Sequence, residues 1–377
     1  MPIMTGLSGN EMYCLQLKGL SPGELVIGNA VHSLGFLGGL TAGLQNVLGG
    51  EVGEITDIIS EGRHESQKRL LAEAKKHGAH GITGVTSELR TMQGNAEFLS
   101  VASSVIDLKS NPPAEPFSTS CNGQELYCMM DCGYIPKKFV MGNVAYSMGL
   151  VGGLFGSLKT LARGEIKEFS DVFNTTRHTA LKRIAAEARE AGANAVAGIE
   201  TRIMPFKGIH EMLMIGTAAL HPGLPASASQ DPVTSDLTAE EMWNLASLGY
   251  MPQKLVLGTA VYSLGLVGGL KAMFKSLSRG EITDLTSLIY DAREHAIGLI
   301  KTEAEQIGAD DVVGVRTHIH DMGNLIEFMA IGTAVKRSPN AKTLTAQLPP
   351  QAIIKDKDTW ISFDPFSFAN VGGAEGE

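Results

Sequence analysis

Three copies of one thirteen-residue stretch decide how this chain is organised. They read GNAVHSLGFLGGL at 28–40, GNVAYSMGLVGGL at 142–154 and GTAVYSLGLVGGL at 258–270. The copies are offset by 114 and then by 116 residues, and the same two offsets align Glu97 with Glu211 and Glu327. Because a register that holds over so many residues without a gap indicates internal duplication, we predict three tandem copies of a single unit.

Shifts in composition between the copies define the predicted domain boundaries. We place the first repeat at 1–110, the second at 121–222, the third at 237–337 and a polar tail at 338–377. The segments between the repeats are rich in Pro, Ser, Ala and Asp, which is typical of linkers. A unit of about a hundred residues buries only a small core and is commonly stabilised by association.

Each repeat carries the same order of periodic segments. An apolar extended segment leads into the glycine-rich stretch, and a long helical pattern follows, which in the second repeat runs through 169–188 and ends at Gly192. Segments at 313–320 and 326–335 in the third repeat are predicted strands. The order strand, helix, strand, strand predicts the α+β class: three tandem two-layer β-α-β-β units, each with one long helix on a small, mainly antiparallel sheet.

Composition and charge exclude several classes of protein. Of the 377 residues, 44% are apolar and 19% charged, which excludes a disordered polyelectrolyte. The net charge of −9 has the wrong sign for a chain that binds nucleic acid or an anionic membrane mainly by charge. Four cysteines are too few for a disulfide scaffold, and the N-terminus lacks a basic segment followed by an apolar run, so we expect a cytoplasmic protein.

Further motifs accompany the glycine-rich stretch at matching positions. They are a Gly-Glu pair before the long helix, an Ala-x-x-x-Gly-Ala helix end at 74–79, 188–193 and 304–309, and a closing Gly-Thr-Ala at 216–218 and 332–334. With these motifs each repeat resembles the YbjQ-type family, which carries the label "putative heavy-metal-binding". The resemblance implies a dodecin-like unit that assembles as a homopentameric ring. Family members are typically single units, whereas this chain has three.

The glycine-rich stretch is predicted to lie at packed interfaces. It lacks the Gly-Lys-Ser/Thr ending of a phosphate loop, and no Lys or Arg occurs from residue 25 to residue 50. Glycine permits close backbone approach where no side chain fits, so a protein interface is favoured over membrane contact and over a ligand pocket. The interface glycines are Gly35, Gly38, Gly39, Gly149, Gly152, Gly153, Gly265, Gly268 and Gly269.

Four sets of charged residues recur in every repeat and are predicted to form ion pairs across or within units. The sets are Arg63, Arg177 and Arg293; Glu97, Glu211 and Glu327; Glu73, Glu187 and Glu303; and Glu51, Glu165 and Glu281. Such pairs contribute mainly to the specificity of docking. Because no histidine recurs with them and no nucleophile, base and orienting partner can be assembled, we expect no enzyme activity and no cofactor.

A low-affinity divalent metal site is the alternative suggested by His318, His320 and Asp321. The two histidines are two residues apart on a predicted strand and therefore project to one face beside the aspartate. Their counterparts in the second repeat are Arg202 and Met204, so these ligands do not recur and solvated surface histidines are favoured.

The tail concentrates aromatic residues in a polar segment. Trp360, Phe363, Phe366 and Phe368 lie within nine residues. Such segments often dock into a groove or onto an edge strand, so we expect the tail to bind a partner protein or to fold back on its own assembly.

These features together predict a non-enzymatic assembly or scaffold protein that forms a ring-based homo-oligomer. Preserved five-fold rings would need five chains and three stacked rings, with one repeat in each ring. If all three repeats instead lie in one ring, the number of units must be a multiple of three. The alternatives are a protein that binds heavy metal or a small ligand, and a protein that associates peripherally with membranes through the apolar glycine-rich strips.

Overall fold

The computed structural model describes residues 2–33, 50–92, 95–147, 164–206, 209–263, 283–321 and 325–348. Two groups of predicted site residues lie outside these ranges. They are the interface glycines (Gly35, Gly38, Gly39, Gly149, Gly152, Gly153, Gly265, Gly268, Gly269) and the tail aromatics (Trp360, Phe363, Phe366, Phe368).

The three repeats share one succession of elements. The first contains α1 (Gly9–Leu17), β1 (Leu20–Ser33), β2 (Gly50–Glu51), α2 (Gly53–Lys76), β3 (Gly81–Met92), β4 (Asn95–Asp107) and β5 (Phe117–Ser118). The second contains α3 (Gly123–Asp131), β6 (Ile135–Ser147), β7 (Gly164–Glu165), α4 (Lys167–Glu190), β8 (Ala195–Phe206), β9 (Ile209–Leu220) and β10 (Val233–Thr234), with a 3-10 turn at Ala226–Ser229. The third contains α5 (Ala239–Ser247), β11 (Tyr250–Ser263), α6 (Thr283–Gln306), β12 (Asp311–Asp321) and β13 (Leu325–Arg337).

Each repeat folds as a long helix on a sheet whose three long strands are antiparallel. The strand order is β1-β4-β3-β5 in the first sheet, β10-β8-β9-β6-β2 in the second and β12-β13-β11-β7 in the third. The short strands β5 and β10 come from the predicted linkers and pair in parallel with β3 and β8. The predicted α+β class and the three repeated two-layer units are therefore confirmed.

The long helix lies directly on the first strand because a glycine at the crossing removes the side chain between them. A Cβ at Gly28 would collide with the backbone of α2 at Ser66, and one at Gly142 would collide with the backbone of α4 at Ala180. The buried side of α2 carries Ile55, Ile59 and Leu70, spaced by the three- and four-residue steps of one helical face.

Three short helices, absent from the predicted order, begin the repeats. Each starts with a reciprocal capping box, in which a polar residue accepts a backbone N–H and a glutamate three residues later accepts the N–H of that cap. The pairs are Ser8 with Glu11, Asn122 with Glu125, and Thr238 with Glu241. Helix α3 packs between α1 and α5, so these helices tie the three repeats together.

The first and second repeats each contribute a short strand to the sheet of the repeat that follows. The two-residue strand β2 leaves the first repeat and pairs with β6 of the second, and β7 pairs with β11 of the third in the same way. The hydrophobic cores are shared as well: Phe139 and Met141 of the second repeat lie in one buried cluster with Leu70 and Val85 of the first. Each later repeat therefore gains a strand from the repeat before it.

Candidate functional site

Two equivalent interfaces join the three repeats. We call the contact of the first repeat with the second the first junction, and that of the second with the third the second junction. In each, the long helix of one repeat, α2 or α4, packs against the first strand of the next, β6 or β11. Of the recurring charges predicted from the sequence, Arg63, Arg177, Glu211 and Glu327 lie in these two junctions.

A buried arginine–glutamate pair lies in each junction. In the first, Arg63 Nη2 is 2.7 Å from Glu211 Oε2 and its Nε is 3.1 Å from Glu211 Oε1, with both side chains wholly buried. In the second, Arg177 Nη2 is 2.6 Å from Glu327 Oε1 and also donates to Tyr146 Oη at 3.2 Å. A buried pair costs several kcal/mol once one partner is removed, because the other charge stays desolvated.

The two pairs differ in how fully the arginine is satisfied. Arg63 Nη1 donates to Ser87 Oγ at 3.0 Å, so each of its nitrogens has a partner. Arg177 Nε and Nη1 have no hydrogen-bond partner among the described residues, and its guanidinium instead lies 5.0 Å from the ring centroids of Tyr146 and Phe173. Cation–π contact takes the place of two hydrogen bonds at the second junction.

A second cluster at each junction places two cationic side chains around one glutamate. His64 Nε2 of the first repeat is 2.8 Å from Glu187 Oε1 of the second, and Lys138 Nζ is 3.0 Å from the same oxygen. The other oxygen of Glu187 accepts the N–H of Met141 at 2.6 Å. The second junction repeats the cluster with His178 at 3.5 Å and Lys254 at 2.9 Å from Glu303.

The histidines of these clusters bind protons more tightly than usual. The hydrogen bond to Glu187 is the main cause that raises the pKa of His64, and the bond to Glu303 raises the pKa of His178. Burial by itself would raise the pKa of Glu187, but the bond from His64 and the charge of Lys138 outweigh it and lower that pKa. The cluster therefore stabilises the junction as a charged pair.

No described part of the chain covers the outer side of the first repeat. We define the front face by Leu25, Ile27 and Val31 on β1, which are 38%, 49% and 57% exposed, together with the half-buried Glu97. The matching apolar positions of the other repeats are all buried, at no more than 4% exposure: Phe139, Met141, Ala145, Leu255, Leu257 and Val261. The first repeat thus exposes the surface that its two copies bury.

The outer side of the third repeat is open in the complementary way. We define the back face by Arg293 on α6 and Val315 on β12. Arg293 is exposed although Arg63 and Arg177 are wholly buried. Val315 is 44% exposed, whereas its counterparts Val85 and Ile199 are 3% and 2% exposed. Arg293 and Glu97 have no ion-pair partner among the described residues, so each is half of the pair that both junctions complete.

The repeats surround one cavity of about 700 Å³. Matching positions from all three line it: one set is Thr86, Glu200 and Arg316, and the other is Val101, Ile215 and Ile331. Three units that turn equivalent positions toward one cavity lie around a common axis. This arrangement differs from the predicted stacking, in which each of three rings takes one repeat of each chain. The number of chains in an assembly stays a prediction.

Burial changes the pKa of one carboxyl group that lines this cavity, that of Glu125. Burial is the main cause that raises the pKa of Glu125 to about 7, and the charge of Glu240 adds to it. A polar chain crosses the starts of the short helices, because Asn10 donates to Gln124 and Gln124 Nε2 donates to Glu240 Oε1 at 3.2 Å. The helices that tie the repeats together thus meet through hydrogen bonds near the cavity.

Asp131 on α3 binds groups from several parts of the chain. Its carboxylate accepts Lys18 Nζ at 2.6 Å, Trp243 Nε1 at 2.7 Å and the N–H of Thr345 at 3.1 Å. Burial alone would raise the pKa of Asp131, but these hydrogen bonds outweigh it and lower the pKa. Asp131 has no acidic counterpart in the other repeats, where Leu17 and Ser247 align with it. A search for recurring residues therefore misses it.

The remaining sequence candidates gain no shared site. His318 and His320 lie on β12, paired with Met329 and Glu327 of β13. Over the residues that the structure describes, no three His, Cys, Asp or Glu side chains form a group able to hold a metal ion. The metal set His318, His320 and Asp321 stays a prediction. Among the described helices, none is long and apolar enough to cross a membrane.

Sequence reasoning missed the histidine–glutamate–lysine cluster for a definable reason. His64 and His178 do not recur in the third repeat, which has Glu294 at that position, so a search for residues shared by all three repeats passes over them. The lysines Lys138 and Lys254 likewise have Glu24 as their counterpart. The available signal was that a cationic residue is replaced by glutamate only in the first and third repeats. The structure is needed to show that these two positions lie on the open faces.

Comparison with known proteins agrees with this architecture. A family model described as "Putative heavy-metal-binding" (YbjQ) matches residues 21–106, 135–221 and 251–338. An "Encapsulin nanocompartment protein" of Mycobacterium tuberculosis is 30% identical over 58% of this chain and 85% of its own length. "UPF0145" proteins of Thermoplasma acidophilum and Pseudothermotoga lettingae are 40% and 42% identical, over 23% and 22% of this chain and 79% and 78% of their own lengths. The chain therefore belongs to the YbjQ family, with three copies of the family unit in one polypeptide.

Proposed function

We propose that this protein is a non-enzymatic assembly protein whose copies join head to tail, the back face of one copy binding the front face of the next. The observation that carries the proposal is the match between the open faces and the junctions. Arg293, Val315, Glu97, Ile27 and Val31 are exposed or half-buried, and they lie in the first and third repeats on the sides that face no described repeat. The equivalent side chains are buried at both junctions inside the chain.

The chemistry of the two faces is complementary. Arg293 on the back face needs a carboxylate at the position that Glu211 and Glu327 take at the junctions, and Glu97 occupies that position on the front face. The backbone is complementary too, since Ala145 and Val261 exchange hydrogen bonds with the start of the preceding helix. Val31 is their counterpart and offers the same N–H and carbonyl.

An interface between two different faces of the same chain builds rings or open filaments. Three repeats around one axis favour a ring, and its number of units is then a multiple of three. Two copies joined in this way contribute six units. A five-membered ring cannot be divided into whole chains of three, so the proposal replaces the homopentamer implied by the family resemblance with a homo-oligomer counted in threes.

One relative supports an assembly role. The name of the Mycobacterium tuberculosis relative is that of a nanocompartment protein, and its match spans more than one repeat of this chain. We propose that the tail beyond Thr345, with Trp360, Phe363, Phe366 and Phe368, docks a partner protein or the assembly itself. Thr345 is bound to Asp131, so the tail starts from a fixed point on the body.

Reversal and exchange of the Arg293–Glu97 charges test the proposal. We expect native chains to form oligomers of two or more copies by mass photometry, and Arg293→Glu to weaken association by about a hundredfold or more, since a buried ion pair becomes a like-charge pair. Glu97→Arg should weaken it equally. The double variant should restore association, because each joint between copies then regains one arginine and one glutamate.

The matched control is Arg189→Glu, at an exposed position of α4 away from both faces. It changes the net charge by the same amount and should leave the mass distribution unchanged. Native chains that stay single at micromolar concentration, or a double variant no better than the single variants, would rule out head-to-tail assembly through these faces.

A further inference from the structure

The joint between copies would differ in charge from the two junctions inside the chain. At the junctions a histidine of one repeat and a lysine of the next meet one glutamate. On the back face the histidine position is Glu294, and on the front face the lysine position is Glu24. The glutamate itself is retained as Glu73. The two positions that are cationic at the junctions are therefore both glutamate on the open faces.

The front face holds Glu73 in the same pose as its counterparts. Glu73 Oε2 accepts the N–H of Ile27 at 2.5 Å, as Glu187 accepts that of Met141 and Glu303 that of Leu257. Glu24 accepts the N–H of Met4 at 3.1 Å. The carboxylate that a histidine approaches at the junctions is thus already in place on the front face, next to the strand that carries Glu24.

We propose that the joint between copies is an acid-strengthened interaction surface: binding of a second copy brings Glu294 to Glu73 and Glu24, which opposes association at neutral pH and favours it when a proton is taken up. This inference rests on the proposed function. Three carboxylates in one partly desolvated cluster repel one another by more than a surface ion pair contributes, because the local dielectric is lower than that of water.

Most of the described charged groups around this cluster have other partners, but two exposed lysines also lie near it: Lys76 on α2, and Lys301 on α6, seven residues after Glu294 on the same helix face. On α2, Arg69 is bound to Glu65 and to the carbonyl of Asn29, while Lys76 lies one turn from Glu73. On α6, Tyr290 lies one turn before Glu294, Arg293 faces Glu97 in the proposed joint, and His295 lies 3.5 Å from Glu165. Lys76 is exposed near the end of its helix and offsets the repulsion in part.

Part of the apolar surface of the joint is retained, although Lys301 stands at the position that Leu71 has in the first junction. Ile27, Val31 and Val315 provide the same kind of surface as at the junctions, and Arg293 with Glu97 provides the same pair. The three carboxylates therefore control the strength of association. They do not change which two faces meet. A permanent joint would have kept the histidine and the lysine.

The experiment compares native chain with Glu24→Lys combined with Glu294→His, which rebuilds the cluster found inside the chain. Sedimentation velocity at pH 7.5 and pH 5.0 gives the association constant of each. We expect association of the native chain to strengthen by about tenfold or more on acidification. The rebuilt variant should associate at pH 7.5 at least about tenfold more strongly than native chain and should gain less from acid.

The matched control is Glu190→His combined with Glu305→Lys, the same change of charge at two exposed helix positions outside both faces. Groups that titrate elsewhere, such as Glu125 and His64, are present in every variant and cancel in the comparison. Equal association of native chain at both pH values, or a rebuilt variant no different from the control, would overturn the inference.

The variant Arg293→Glu separates this inference from the proposed function. If it dissociates the copies at both pH values while native association does not depend on pH, the assembly stands and the acid-strengthened joint does not. If it leaves association intact, the faces are not the interface and both proposals are wrong. Absence of association at both pH values also contradicts both.

Discussion

The outer side of β1 and the outer side of β6 are the same surface in two environments. Both strands begin just after a short helix and pair with a closing strand. Each also packs against a long helix, with a glycine of the strand at the point of contact. Yet Ile27 is 49% exposed and Met141 is 4% exposed. The difference follows position in the array, since the second repeat has a neighbour on that side and the first has none among the residues that the structure describes. An open face that keeps the apolar character of a buried one is what a protein interface requires.

The largest expected contrast is between Arg63 and Arg293. Arg63→Ala leaves Glu211 buried and unpaired, so we expect it to lower the free energy of unfolding by about 3–5 kcal/mol. Arg293→Ala, measured by urea unfolding at a dilution where chains are single, should change it by less than about 0.5 kcal/mol. An equal loss in both variants would mean that the third repeat is stabilised like the first two, and the contrast between ends and junctions would fail.

A second contrast tests the apolar part of the same surfaces. Met141→Ala removes a buried side chain from the cluster shared by the first two repeats, and we expect a loss of about 2–4 kcal/mol. Ile27→Ala removes its exposed counterpart and should cost under about 1 kcal/mol in the single chain. At concentrations where copies associate, the Ile27 variant should weaken association while the thermal transition of the dilute chain stays near that of the native protein.

The smallest expected effect concerns the pH dependence of the first junction. The folded state raises the pKa of His64 through its bond to Glu187, so this contribution to stability is complete below the unfolded value of about 6.5 and is lost as pH rises through the folded value. The His64 side chain is 43% exposed, which limits the contribution to under about 1 kcal/mol.

His64→Gln should therefore flatten the decline in stability from about pH 6 to pH 8, as followed by urea midpoints at each pH. His77→Gln, at an exposed helix end, is the control and should leave the decline as it is in the native chain. A decline of equal slope in both variants would show that the bond to Glu187 does not govern stability in this pH range.

Much of the unit could be predicted from local pattern. The three- and four-residue spacing in the second repeat predicted a helix that the structure has at Lys167–Glu190, and the alternating segments predicted β12 and β13. The short helices were not predicted, although the capping pairs beginning at Ser8, Asn122 and Thr238 were a usable signal. With nine residues, such helices carry too few turns for periodicity to stand out.

The pairing of the charges could not be predicted. The sequence aligns Arg63, Arg177 and Arg293 but does not say whether each meets the glutamate of its own repeat or of the next one. The structure places Arg63 on Glu211 and Arg177 on Glu327, in each case across a junction. Choice of partner depends on how two folded units pack, and no local pattern encodes that.

By itself the sequence determined that there are three units, what each unit is built from and which residues recur, because these follow from repetition and from the periods of helix and strand. Only the tertiary structure decided that the units lie around one axis, that each later unit gains a strand from the unit before it, and that Arg293 and Glu97 are left open. The physical reason is that burial depends on how the repeats pack. Equivalent positions are in the core inside the array and are exposed at its ends.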